Sequence, residues 1–350
     1  MSLRSLYLRN FRNYAEAEVH FSPRINLLYG QNAQGKTNLL EAIYLIATGR
    51  SFRTAHLQEL IRVGETFFFL EAIVSKDGFD HKVQIAFDGN VKKLTLDGNS
   101  YNSLQHLLGI LPSVLHTPWD GELVDGSPTV RRRFLNMHLA QKDPLYIHHL
   151  ARYWRAMKQR NALLKMGDLR AIECWEVEMA ESAGYIGQMR LGFTDAIRDP
   201  LLANGLALSS GKEKHEVRFV PSAHPENYLT QLAKNRAREK MLGATLTGPH
   251  RDDFSLSIDE KACRAFASEG QKKTAVFGLR LAEWELFTKI TGVPALLGID
   301  DLGLHLDQNR EALFRSALHR LGQTFITTPH LTTFPDAKHF LVANGSIQNS

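Results

Sequence analysis

The segment Gly30-Gln31-Asn32-Ala33-Gln34-Gly35-Lys36-Thr37 constrains this chain more than any other feature, because it matches the pattern G-x-x-x-x-G-K-[ST]. With glycine at roughly 7% of residues, a chance match in a chain this long arises on the order of one time in a hundred. The flanking patterns narrow it further. Ile25 to Tyr29 is a short apolar run that reads as a buried strand, and Leu39, Ala42, Ile43 and Ile46 recur at helical spacing before Gly49. Strand, glycine-rich turn and helix, in that order, make a phosphate cradle. The glycines let successive backbone N–H groups curl inward, and the helix start adds partial positive charge. Gly30, Gln31, Asn32, Ala33, Gln34, Gly35 and Asn38 are therefore expected to line a nucleotide. Lys36 is expected on its β- and γ-phosphates, and Thr37 on a Mg²⁺ ion.

Such a site needs a second acidic group. The apolar run Ala295 to Ile299 delivers two carboxylates, Asp300 and Asp301, at what reads as the C-terminal end of a buried strand. Taken alone they could be a solvated turn. Beside the loop motif, Asp300 is expected to hold Mg²⁺ through water, and Asp301 to polarise the water that attacks the γ-phosphate. Asp301 and Lys36 are then the catalytic groups. A second anion-binding helix start is suggested by Ser268-Glu269-Gly270-Gln271, just ahead of a helical pattern over 271–290. An ordinary serine N-cap explains the same residues. A partial site beside a complete one suggests that it completes the site of another copy.

Strand patterns dominate the first 116 residues: Leu3, Ser5, Tyr7, Val19 and Phe21 alternate, and 67–98 reads as a β-meander. Helical patterns take over at Thr129 to Gln141, Leu145 to Met166, Leu169 to Leu202 and Tyr228 to Met241, with a strand at His215 to Val220. From 254 the chain alternates strand and helix, with a helix expected over Asn309 to Leu321 and a strand over Thr324 to Thr328. The fold class expected is α/β, a nucleotide-binding head formed by 1–127 and 241–350 with an inserted helical arm, 128–240.

The net charge of +5 hides a division. The arm holds 19 Lys and Arg against 12 Asp and Glu; the rest holds 23 against 25. The whole positive excess sits at Arg131 to Arg133, Arg152 to Arg160 and Lys234 to Lys240, a placement suited to a polyanion such as DNA. Two cysteines, no secretory h-region and no apolar run long enough to cross a bilayer suggest a soluble, cytoplasmic chain.

These pieces resemble the ATP-binding-cassette ATPases of the SMC type: Lys36 with Thr37, the signature Ser268-x-Gly270-Gln271, Asp300 with Asp301, and a D-loop Asp307. The resemblance narrows to the RecF family on Leu8 to Tyr14, Leu39 to Tyr44, Ala47 to Thr54, Gly126 to Pro128 with Arg131 to Leu135, and Thr247 to Asp253. It implies a DNA-binding ATPase with weak, DNA-stimulated hydrolysis. It implies an ATP-dependent homodimer in which Ser268, Gly270, Gln271 and Asp307 of one copy meet the nucleotide of the other. It implies RecO- and RecR-type partners, gapped or junction DNA, recombinase loading, and roles in replication, repair and the SOS response. It places Asp120 near the nucleotide, Thr327 and Thr328 in the switch region, and Arg12 as a nucleotide contact. The chain departs from the family pattern at Leu304 and His305, where Ser and Glu are usual, which bears on hydrolysis and the dimer interface.

His148 and His149 are neighbours on one helix and do not share a face, so a joint metal site is not expected. The segment around His250, Asp252 and Asp253 reads as a structural or phosphate-contacting loop before a metal site. Trp154, Trp175 and Trp284 read as core. Two rival functions remain: a P-loop kinase, which has no need of Ser268 to Gln271, and a nucleotide-clamped scaffold that scarcely hydrolyses.

Overall fold

The computed structural model describes residues 1–301, 313, 321–331, 334 and 336–349. In chain order the strands are β1 (Ser2–Phe11), β2 (Tyr14–His20), β3 (Ile25–Tyr29), β4 (Phe68–Lys76), β5 (Phe79–Phe87), β6 (Lys92–Leu96), β7 (Asn99–Tyr101), β8 (Ser113–His116), β9 (His215–Val220), β10 (Asp253–Ile258), β11 (Lys261–Ala262), β12 (Leu296–Ile299), β13 (Thr324–Thr328), β14 (Lys338–Ala343) and β15 (Ser346–Asn349). The helices are α1 (Lys36–Thr48), α2 (Glu122–Asp125), α3 (Pro128–Lys142), α4 (Pro144–Met166), α5 (Ile172–Leu208), α6 (Tyr228–Leu242), α7 (Cys263–Phe266) and α8 (Glu269–Thr291). The chain forms two compact units, 1–120 with 280–350, and 121–279. The second is larger than the expected 128–240 arm. β10 pairs along its whole length with β9, and Arg131 of α3 grips Asp253 through two hydrogen bonds of 2.6 and 2.9 Å, so 241–279 packs with the helices.

The first unit holds two six-stranded sheets. One is antiparallel in the order β2-β1-β4-β5-β6-β7. The other runs β15-β14-β3-β13-β12-β8, with β14, β3, β13, β12 and β8 mutually parallel. Parallel pairing matters for the site, because the C-terminal ends of β3, β12 and β13 share one edge. Strand β1 does not alternate from Leu3 as its pattern suggests. The register shifts between Leu3 and Ser5, and beyond that bulge Leu6 and Leu8 point into the core. The C-terminal hairpin β14–β15 is absent from the sequence reading, and the expected helix at 309–321 lies, but for 313 and 321, outside the described residues.

In the second unit α5 runs to Leu208, through Pro200, where a helix end is expected. Burial carries it onward. Leu201, Gly205 and Leu208 are buried, and a side chain on Gly205 would strike the His215 ring on β9. Arg160 of α4 is fully buried. It binds Glu176 of α5 through two hydrogen bonds of 3.1 and 2.8 Å, and Glu239 of α6 at 2.7 Å. Removing one partner of a buried ion pair costs about 3–5 kcal/mol, because the other charge stays desolvated. Arg160→Leu is therefore expected to lower unfolding free energy by about that amount. Denaturant unfolding of the variant beside wild type checks this.

Candidate nucleotide site

The loop 30–35 leaves β3 and enters α1, as its spacing predicts. Two glycines are required by geometry. Gly30 has φ of 146°, and a Cβ there would lie 2.3 Å from the Val342 carbonyl of β14. Gly35 has φ of 121°, and a Cβ there would press on Asn13 and Tyr14. Neighbouring groups pin the loop from outside. Asn13 Nδ2 donates to Gln34 O at 2.9 Å, Tyr14 O–H to Gly35 O at 2.9 Å, and Gly345 N–H to Gln34 O at 3.1 Å. Asn344 N–H donates to Gln34 Oε1 at 2.7 Å.

Lys36 folds back over this loop, its Nζ donating to Gly30 O at 2.6 Å and Gln31 O at 2.8 Å. Burial pushes its ammonium below the usual lysine range, against the pull of Asp301 and Asp300. The carbonyls it holds are weaker acceptors than phosphate oxygens, so an entering phosphate would displace them.

Asp300 leaves the end of β12 and is 4% exposed. Thr37 Oγ1 donates to its Oδ1 at 2.9 Å, and Thr327 Oγ1, from β13, at 2.8 Å. Thr327 Oγ1 also accepts from Asp301 N–H at 2.7 Å. Asp301 sits in the left-handed region, φ 63°. Three chain segments thus meet on one buried carboxylate. Burial pushes its pKa above the usual carboxylate range, and the threonine hydrogen bonds offset only part of that. A hydroxyl and a carboxylate oxygen are hard donors suited to Mg²⁺, which takes few protein ligands and completes its shell with water and phosphate. Among the described residues no cluster of three His, Cys, Asp or Glu offers another metal site.

Other expected site residues take definite places. Asn38 Nδ2 donates to Asn13 Oδ1 at 2.8 Å, and its Oδ1 accepts from Arg53 at 2.7 Å. Arg12 grips buried Glu41 with two hydrogen bonds of 2.9 and 2.8 Å and donates to Glu59 O at 2.7 Å, which braces α1 from outside the loop. Asp120 is buried and holds Arg280 at 2.8 and 2.9 Å. Burial opposes its charge, yet Arg280 and His116 hold the carboxyl below its usual range. Asp307 lies outside the described residues, as do Leu304 and His305.

In the second unit Ser268 and Gln271 exchange hydrogen bonds, Ser268 N–H to Gln271 Oε1 at 2.9 Å and Gln271 N–H to Ser268 Oγ at 3.3 Å. This is a capping box at the start of α8. Among the described residues a Cβ on Gly270 would meet nothing within 4 Å, so their packing does not demand this glycine.

The sequence reading gave Thr327 only a general place in the switch region and missed the bracing by Gln34, Asn13 and Asn344. It also misplaced a tryptophan. Trp284 is buried and Trp175 half-buried, but Trp154 is 49% exposed. The His250 loop is structural. Tyr153 O–H meets Nδ1 at 2.7 Å and Nε2 donates to Thr245 O at 3.0 Å, while burial pushes the imidazole down to about 4.

The family model for the RecF/RecN/SMC N-terminal domain matches residues 2–345. "DNA replication and repair protein RecF" of Protochlamydia amoebophila is 44% identical over 338 residues, 94% of each chain. The chain belongs to the RecF family. The solved structure of the recombination mediator protein RecF with ATP, in the RecFOR pathway, superposes with a TM-score of 0.92 at 30% identity, over 99% of this chain and 97% of that one. An Smc head bound to the C-terminal winged-helix domain of ScpA matches with a TM-score of 0.59 at 14% identity, over 100% of this chain and 97% of that one, a likeness of fold alone. The fold is thus that of the SMC-type ATP-binding-cassette heads, and RecF chains share it end to end.

A buried carboxylate whose pKa is raised on folding weakens the fold at pH above its folded value. The penalty vanishes below the unfolded value, near 3.8. Asn at position 300 keeps an Oδ1 for both threonines and carries no charge. Asp300→Asn is therefore expected to melt higher than wild type at pH 7 without nucleotide, with the gap closing as pH falls toward the carboxylate range. Calorimetric melting across pH checks the sign.

Proposed function

We propose that this chain binds ATP with Mg²⁺ between 30–38 and Asp300, dimerises on it, hydrolyses it slowly, and acts on DNA in replication and repair. The observation that carries the reading is the joining of Thr37 to Asp300 by a 2.9 Å hydrogen bond beneath a complete phosphate loop. A similar protein solved with ATP supports the nucleotide. Mg²⁺, held by Thr37 and Asp300, would supply charge neutralisation on the phosphates. Lys36 would bind the β- and γ-oxygens. Asp301, fixed at its backbone by Thr327, would orient the water and draw off its proton as the water oxygen bonds the γ-phosphorus and the β–γ bridging bond breaks, leaving ADP and phosphate. Ser268, Gly270 and Gln271 at the start of α8, with Asp307, would meet the nucleotide of a second copy. A kinase has no use for that second anion site, which sets this reading above the transferase alternative.

The RecFOR pathway named for the similar structure supports RecO- and RecR-type partners; gapped DNA as the target and recombinase loading as the outcome are what the family resemblance implies. The basic excess of 128–240 supports the DNA. The unit 1–120 with 280–350 is then the ATPase head, and no described helix is long and apolar enough to cross a membrane.

Lys36→Ala is expected to weaken ATP binding about 10- to 100-fold, the size of a lost charge-assisted contact. Unchanged affinity refutes the site. With ATP and Mg²⁺, light scattering of Asp301→Asn is expected to show a dimer. Adding Ser268→Arg is expected to return it to a monomer that still binds ATP. DNA affinity is expected to fall steeply with salt.

A further inference from the structure

We propose that α4 and α6 present a nucleic-acid surface on which the exposed ring of Trp154 stacks on an unpaired base. The inference rests on the DNA reading above and deepens it. Most arginines expected to form the basic arm are engaged within the unit. Arg131 and Arg190 bind Asp253 and Asp252, Arg152 binds Glu178 and Glu181, and Arg236 binds Glu173 and Glu176. Six of the exposed cations stand on two neighbouring helices. Arg155, Lys158 and Lys165 on α4 and Lys234, Arg238 and Lys240 on α6 are exposed. The C-terminal ends of these helices lie side by side, since a Cβ on Gly243 would sit 2.9 Å from Lys165 Cγ.

Nothing on either helix offsets that charge. The 23 residues of α4 include no Asp or Glu. The one acidic residue of α6, Glu239, is buried against Arg160. Two helices whose own exposed charges are all positive fit a polyanion. Trp154 sets which one. It stands one turn before Lys158 and beside Arg155, and is 49% exposed. Its inner side rests on Tyr153 and His250, each with its ring centroid 6.2 Å away. Both of those are fixed by their mutual hydrogen bond, so the tryptophan is braced from behind. Arg251, next along the chain, is also exposed. An exposed indole among cations is the arrangement that stacks an unpaired base, because stacking needs an open π-face while cations track the backbone. A duplex, whose bases are already stacked, would use only the charges.

The test measures binding of a labelled oligo-dT and of a duplex of equal length by anisotropy, using the full chain with ATP and Mg²⁺. Trp154→Ala is expected to weaken oligo-dT binding about 5- to 100-fold, the range for losing one stacked base, and duplex binding less than about twofold. Trp154→Phe is expected to restore most of the affinity, and Arg155→Glu with Lys158→Glu to weaken both. Equal loss for duplex and oligo-dT, or none for either, overturns the assignment. So does displacement of oligo-dT by polyglutamate at equal charge concentration, which would make the surface a plain anion patch. Wild type that binds neither form defeats the DNA reading itself; wild type that binds both, matched by Trp154→Ala, defeats only the role of Trp154.

Discussion

Two threonine hydroxyls, one from the first turn of α1 and one from β13, share a single oxygen of Asp300 at the end of β12. That buried carboxylate ties together the loop 30–35 with the start of α1, the end of β12 and β13. The parallel order of β3, β13 and β12 brings their ends to one edge, and the hydroxyls lock the register there. The arrangement is costly to the resting chain, since burial raises the Asp300 pKa while the lysine of the same loop is pushed down. In the proposed function, a ligand carrying both cation and phosphate would offset that cost.

The loop is held from behind as firmly as from within. Asn13 and Tyr14 from the β1–β2 turn and the 344–345 turn clamp Gln34 and Gly35. Arg12 and Arg53 converge on Glu41 of α1. Arg12, expected to touch nucleotide, spends three of its five N–H donors on this bracing.

Much of the site was legible because short segments carry it. The cradle is one contiguous octapeptide with a strand before and a helix after, and the carboxylates end an unmistakable apolar run. The bracing was not legible, because Asn13 and Gln34 are 21 residues apart and Gln34 and Asn344 are 310 apart. Only the folded sheet makes them neighbours. The same limit explains α5, where a local proline signal gave way to packing on β9. It also explains Trp154, whose helical spacing fits core and surface alike. Charge was legible as a total and misleading as a surface. The arm's basic excess is real, yet Arg131, Arg160 and Arg190 are buried partners of carboxylates, and six of the exposed cations stand on α4 and α6.

In the proposed function Asp300, held by Thr37 and Thr327, is the chain's half of a cation–phosphate site. Calorimetric titration of ATP into wild type and Asp300→Asn, each in Mg²⁺ and in EDTA, tests it most directly. Mg²⁺ is expected to tighten ATP binding in wild type and to leave the variant, still folded, unchanged. An equal gain from Mg²⁺ in both proteins would contradict it.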